Sequence, residues 1–181
     1  MQILRPQNAL PSDVYYASLS SLAKAILLQA ETEVTAEKRS AKPLAQLTLN
    51  VMNVLNGFSP VFWAKLCQRT GGWAVPARMP PEDVDGTPFT RVTTMKASGI
   101  REGETNVDRT ARVAGVMRVY FSLLLLPSSA PLSREFHRPR LWIFIARLIG
   151  QSPLLKSALA TELLSGNAPV ILAPIPYAAD L

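Results

Sequence analysis

One cysteine, Cys67, and one histidine, His137, are present in 181 residues. A single cysteine excludes an internal disulfide framework and fits a reducing compartment, nuclear or cytosolic. One cysteine with one histidine cannot supply a structural zinc site, which takes four nitrogen or sulfur ligands. Long apolar runs are absent as well. The longest, Val119 to Leu126, is interrupted by Ser122 and bounded by Arg118 and Pro127. A membrane span needs about 20 residues, so this run reads as a buried helix segment and the protein as soluble. The start, MQILRPQNALPSD, lacks the apolar core of a secretory signal. No glycine-rich phosphate loop of either common pattern occurs, so any phosphate must be held by side chains on helices. Nucleophilic catalysis wants a base beside the nucleophile, and the lone His137, between Phe136 and Arg138, reads as a surface or helix-end histidine. The acids Glu82, Asp83 and Asp85 lie in a proline-rich segment and read as solvated loop charge. No catalytic constellation emerges, and the expectation is a protein that is not an enzyme.

Positive charge is what the chain has in excess. Lysine and arginine number 19 against 13 acids, a net charge of +6, with a pI of about 9.8. Apolar residues make up 48% and charged residues 18%, enough for one well-packed domain. From Arg109 to Lys156 the chain carries Arg109, Arg112, Arg118, Arg134, Arg138, Arg140, Arg147 and Lys156 against the single acid Glu135. Such a balance favours an anionic partner.

The apolar spacing is helical throughout. Asp13 is a candidate N-cap for a first helix whose Tyr15, Leu19, Leu22 and Ile26 share a face, with Lys24 on the other side and an end near Ala30 or shortly after, in the polar run ETEVTAEKRS. A second helix is expected from about Pro43 to Asn56, burying Leu44, Leu47, Val51, Val54 and Leu55 and stopped by Gly57. Ser59 and Pro60 start a third, with Phe62 and Leu66 inward and Lys65 and Arg69 one turn apart on another face; Gly71 and Gly72 end it. Residues 73–106 read as a long irregular loop with a helical turn near Glu82. Val113, Val116, Met117, Tyr120 and Leu124 mark a fourth helix, ended by Pro127. In RPRLWIFIARLIG, Trp142, Ile145, Ala146 and Ile149 are expected inward, with Arg140 and Arg147 on one face. Ser152 and Pro153 open a last helix that runs to Gly166. Trp63, Trp73 and Trp142 read as core or semi-core residues. The sum is an all-α domain over residues 13–168, about six helices, with an irregular tail over 169–181; antiparallel helix pairs of this size suggest a HEAT-like α-solenoid.

Lys24, Lys38, Arg39, Lys65, Arg69, Arg109 and Arg112 come from at least three of these elements. Arginine offers a planar fork to phosphate and lysine a compact point charge. Lys65 and Arg69 repel each other slightly when alone, and a bound polyanion would reverse that sign.

Four stretches in order are similar to one family. LAKAILLQAETEV, LTLNVMNVLNGFSPVFWAKLCQRTGGWAVP, RVAGVMRVYFSLLLLP and RPRLWIFIARLIGQSPLLKSALATELLSGNA resemble successive parts of the carboxy-terminal domain of the mRNA export factor Gle-one family. The resemblance covers about residues 19–168, apart from the loop. It implies a HEAT-like helical domain that works at the cytoplasmic face of the nuclear pore, between nucleus and cytoplasm. It further implies a non-enzymatic role: binding inositol hexakisphosphate as effector, stimulating the ATPase of a DEAD-box mRNA-export helicase and remodelling messenger ribonucleoprotein, with contact to RNA only indirect. A phenylalanine-glycine nucleoporin would dock on the same domain, and translation factors are further partners. By position, Lys24, Lys65, Arg69, Arg109 and Arg112 would hold the polyphosphate, and Arg140 and Arg147 would face the helicase. An alternative with the same basic helices is a HEAT-type translation-initiation or RNA-binding scaffold. Family members also carry an amino-terminal coiled-coil region and further helices beyond the position of Asn167, so a truncated or misjoined gene product is expected.

Overall fold

The computed structural model describes residues 11–76, 82, 85–90, 93–94, 98–128 and 132–166. The tail expected over 169–181 lies outside the described residues. Seven α-helices are present among them: α1 Ser12–Ala36, α2 Ala41–Val54, α3 Phe58–Thr70, α4 Asn106–Leu125, α5 Pro139–Gly150, α6 Ser152–Leu155 and α7 Ala158–Gly166. No strand occurs among the described residues, in agreement with the all-α reading.

Helix α4 is the axis of the packing. Every residue from Arg112 to Phe121, together with Leu123 and Leu124, is buried. It is apolar nearly all round, as a central helix must be, and α1, α2 and α7 pack against it. Thr105 caps its start, its Oγ1 accepting from the Asp108 amide at 3.1 Å. Gly115 lets α1 approach, since a Cβ there would meet the Ala30 carbonyl oxygen at 2.6 Å. Helix α3 lies against α1 and buries Phe58, Phe62 and Leu66. Phe58, Phe62, Tyr120, Phe121, Phe136 and Phe144 link through edge and tilted ring contacts, favoured by the aromatic quadrupole.

Several local expectations need correction. Helix α1 runs to Ala36, inside the polar run where its end is expected but past Ala30, because Glu31 and Val34 are buried. Leu19 and Ile26 are buried as expected, but Leu22 is exposed, and Ala23, Leu27 and Ala30 complete the buried stripe. In α2 the buried face is Ala41, Ala45, Thr48, Leu49 and Met52; of the predicted stripe Leu44, Val51 and Leu55 pack part-buried against the core, while Leu47 and Val54 face solvent. In α5 the buried face is Leu141, Phe144 and Leu148, while Trp142 is 51% and Ile149 62% exposed. Trp73 is buried as expected. Glu82 makes an isolated antiparallel bridge with Pro88 rather than a helical turn. Between them Gly86 takes a left-handed φ of +80° and the Asp85 carboxylate accepts from the Thr87 amide, the chemistry of a tight turn.

A candidate polyanion cleft between α1, α3 and the 98–104 segment

A cleft of about 560 Å3 opens between Lys24 of α1, Lys65, Gln68 and Arg69 of α3, and Gly99, Ile100 and Arg101 of the segment that precedes α4. Helical periodicity accounts for the first two walls. Lys24 flanks the buried stripe of α1, two turns before Glu31 on the same face, and Lys65 and Arg69 lie one turn apart beside the Phe62–Leu66 stripe of α3. Lys65 Nζ donates to Gln68 Oε1 at 3.3 Å.

The third wall depends on glycines. Gly71 follows α3 with φ +63°, and a Cβ there would collide with the Ser98 carbonyl. Gly99, at φ +66°, lies so close to the end of α3 that a Cβ would meet the Gly71 amide nitrogen at 2.8 Å. Only residues without a Cβ, free to adopt positive φ, let the 98–104 segment seat against the end of α3 and present Arg101 to the cleft.

A buried carboxylate organises these cations. Glu31 of α1 has a side chain only 3% exposed. It accepts from Arg69 Nη1 at 2.6 Å and, through both oxygens, from Arg101 Nη2 at 2.7 and 2.6 Å. Arg112 Nη1 stands 3.7 Å away. A buried charge persists only when paired and hydrogen-bonded, and here one acid is shared by three guanidinium groups. Glu104 forms a second ion pair behind the first. It takes Arg112 Nε at 2.5 Å and Nη2 at 2.8 Å. The Arg112 hydrogen bonds are the largest of the influences that hold the Glu104 carboxyl below its ordinary range. For Arg112 itself burial pulls the guanidinium down, but the Glu104 and Glu31 carboxylates outweigh it and raise it.

The five residues expected on a polyphosphate therefore divide into two sets. Lys24, Lys65 and Arg69 meet at one concavity. Arg109 and Arg112 do not line it. Arg112 is 6% exposed and also donates to the carbonyls of Arg69 and Gly99, at 2.8 Å each, which ties α3 to the 98–104 segment. Arg109 donates to the Ser98 carbonyl at 3.1 Å, and its desolvation on burial lowers its pKa from the ordinary guanidinium value. Both arginines brace the wall; their place at the start of α4 turns them toward the segment that the two glycines draw in. Arg101, Gln68 and the organiser Glu31 were missed in the sequence. Arg101 lies in a stretch without periodicity, and Glu31 sat in a polar run read as the end of a helix.

Arg140 and Arg147 border a different, shallow depression beside Trp63, Ile143 and Tyr120. His137 is exposed and its Nε2 lies 2.8 Å from the Leu132 carbonyl oxygen. Burial pushes the Cys67 thiol up to about 11, far from the thiolate a nucleophile needs. Among the described residues no cluster of histidine, cysteine and carboxylate side chains is arranged to hold a metal, and no helix is long and apolar enough to cross a membrane.

Fold and cleft together define an all-helical domain whose distinguishing surface is a pocket of converging cations backed by buried ion pairs. The chain belongs to the GLE1-like protein family, whose sequence model matches residues 2–166. No curated protein sequence matches it. Two solved structures share its fold. One is the Saccharomyces cerevisiae complex of a leucine-to-valine Dbp5 C-terminal domain bound to Gle1 and IP6, with a TM-score of 0.70 and 22% identity over 86% of this chain and 52% of the matched chain. The other is the same complex with a histidine-to-arginine Gle1, with a TM-score of 0.66 and 22% identity over 81% of this chain and 50% of the matched one. The chain thus spans about half the length of the chains it matches.

Proposed function

We propose that this domain is a non-enzymatic regulator of a DEAD-box RNA helicase, that inositol hexakisphosphate binds in the α1–α3 cleft, and that the bound pair stimulates the helicase ATPase in messenger-ribonucleoprotein export at the nuclear pore. The observation that carries the reading is the convergence of Lys24, Lys65, Arg69 and Arg101 on one cleft. Its volume lies in the range of small-ligand sites. Four cations from three elements suit a compact molecule with phosphates on every side, and charge-assisted bonds to phosphate are the strong ones. Membership of the GLE1-like family and a fold shared with Gle1 complexes that hold IP6 support the same ligand.

In this mechanism Glu31 keeps Arg69 and Arg101 extended toward the cleft before any ligand arrives, which lowers the ordering entropy of binding. The polyphosphate then adds negative charge where the lysines have none. With the ligand seated, the cleft edge changes from cationic to mixed charge, and a helicase surface that reads both protein and phosphate docks there. Arg140 and Arg147, on the separate depression, offer a second cationic contact to the helicase, and Ile143, which lines it with them and is part exposed, adds apolar area. A phenylalanine-glycine nucleoporin and translation factors complete the partners proposed for the domain.

The test is ATP turnover by a DEAD-box export helicase with RNA, with and without this chain and inositol hexakisphosphate. Stimulation that requires both is expected. Turnover unchanged by the chain at saturating polyphosphate would remove the regulatory role.

A further inference from the structure

A second cavity, of about 420 Å3, lies between the end of α1, the first turns of α4 and helix α7. It shares no lining residue with the cation cleft. Its walls are largely apolar, from Val107, Ala111, Ala114 and Ala158, and its floor holds charge. Arg118 of α4 lines it, with the residue 6% exposed. Arg118 Nη2 donates to Glu162 Oε1 of α7 at 3.1 Å, and Lys38 Nζ donates to that same oxygen at 3.3 Å. Arg118 Nε is buried and finds no hydrogen-bond partner among the described residues.

One feature calls for a ligand. Two cations share one carboxylate, so the site carries one surplus positive charge. A single carboxylate balances that charge and accepts from Lys38 and from the part of the Arg118 guanidinium that lines the cavity. Asn106 and Thr110, which also line the cavity, can donate to its second oxygen. The apolar wall asks for a short hydrocarbon body behind that carboxylate. A doubly charged phosphate monoester would overshoot the surplus and sit close to Glu162.

We propose that this cavity is a second anion site, distinct from the polyphosphate cleft, which takes one carboxylate carried on a short apolar body. Lys38 is the mobile half of the site, since its side chain is 62% exposed and can swing from Glu162 to the ligand. Arg118 is the fixed half.

The probe is hexanoate, with hexanamide as its neutral counterpart and hexyl phosphate as its doubly charged one. Ligand-observed NMR titrations on the full chain read the binding. Hexanoate should bind saturably and at least tenfold more tightly than hexanamide or hexyl phosphate, and the difference from hexanamide should shrink in high salt. Arg118→Gln should weaken hexanoate at least tenfold. Val107→Glu, at a mouth residue 77% exposed, puts a repelling carboxylate there without touching the core, and should weaken hexanoate several-fold while Val107→Gln does not. Both acidic and neutral Val107 variants should bind inositol hexakisphosphate as the parent does. Equal binding of acid and amide would overturn the assignment, as would a folded Arg118→Gln that binds hexanoate unchanged. Should Arg118→Gln fail to fold, the Val107 pair decides: equal affinities in the two variants reject the site. Tighter binding of hexyl phosphate than hexanoate would reject the single-charge match.

Discussion

Replacing Glu31 by glutamine tests whether a buried carboxylate organises the cleft. The substitution keeps shape and removes charge. In the parent, Glu31 receives Arg69 and Arg101 at 2.6 Å from a side chain 3% exposed. Removing one partner from a fully buried ion pair costs about 3–5 kcal/mol, because the other charge is left unpaired. Three features bring the figure down here. Arg101 is 47% exposed and can turn to solvent. Arg69 lines an open cleft. Arg112 keeps Glu104. A loss of about 2–3 kcal/mol remains, which for a chain of this size lowers the melting temperature by roughly 4–12 °C. Differential scanning fluorimetry at low salt reads it. Inositol hexakisphosphate should raise the melting temperature of the variant more than that of the parent, since it supplies the missing negative charge and selective binding to the native state stabilises. A variant that melts within 1 °C of the parent, or above it, refutes the organising role of Glu31.

Other outcomes follow from the same geometry. Gly71→Val should unseat the 98–104 segment, since φ is +63° and a Cβ would strike the Ser98 carbonyl; cleavage by trypsin after Arg101 should accelerate, and polyphosphate affinity should fall about tenfold, roughly 1.4 kcal/mol. The Glu104 carboxyl is held below its ordinary value of 4.5, first by the Arg112 hydrogen bond. Its contribution to stability is therefore present above about pH 4.5 and lost as pH falls through the depressed value in the folded state; urea midpoints from pH 7 to pH 3 should show this drop in the parent and a smaller one in Glu104→Gln. Leu148→Ala should cost about 2–5 kcal/mol as a core truncation, and its neighbour Ile149→Ala less than about 1 kcal/mol, by urea unfolding. Arg140→Glu with Arg147→Glu should weaken helicase stimulation several-fold and leave polyphosphate affinity unchanged within a factor of about two.

Much of the fold was legible in the amino-acid order because the strongest helices have clean signals. The α4 stripe of Val113, Val116, Met117, Tyr120 and Leu124 and the α3 pair Phe62 and Leu66 are buried as spacing predicts. The face of α5 was not legible. Leu141, Trp142, Ile143, Phe144, Ile145, Leu148 and Ile149 surround most of that helix, and its spacing favours the face opposite Arg140 and Arg147, where Trp142, Ile145 and Ile149 stand. Tertiary packing chose Leu141, Phe144 and Leu148 and left Trp142 outside. Helix α2 shows the same ambiguity, because small residues, Ala41 and Ala45, mark its contact face while larger apolar residues such as Leu47 and Val54 point out.

The cleft divides in the same way. Lys24, Lys65 and Arg69 were readable because helices place exposed cations predictably, and the structure brings all three to one concavity. Arg109 and Arg112 carry the same charge and lie at the start of α4, yet Ser98, Gly99 and Glu104 claim them. Nothing in spacing along the chain distinguishes a cation that meets a ligand from one that pairs with a loop. Arg101 and Glu31 were invisible for the converse reason: their roles depend on contacts 70 residues apart in sequence.

The most direct measurement is a calorimetric titration of inositol hexakisphosphate into the parent chain and into two variants, Lys24→Ala/Lys65→Ala and Arg101→Ala. The cleft predicts binding to the parent that weakens with salt, at least a tenfold loss in each variant, and no change for a control such as Arg39→Ala. Unchanged affinity in both cleft variants, or no binding to the folded parent at low salt, contradicts it.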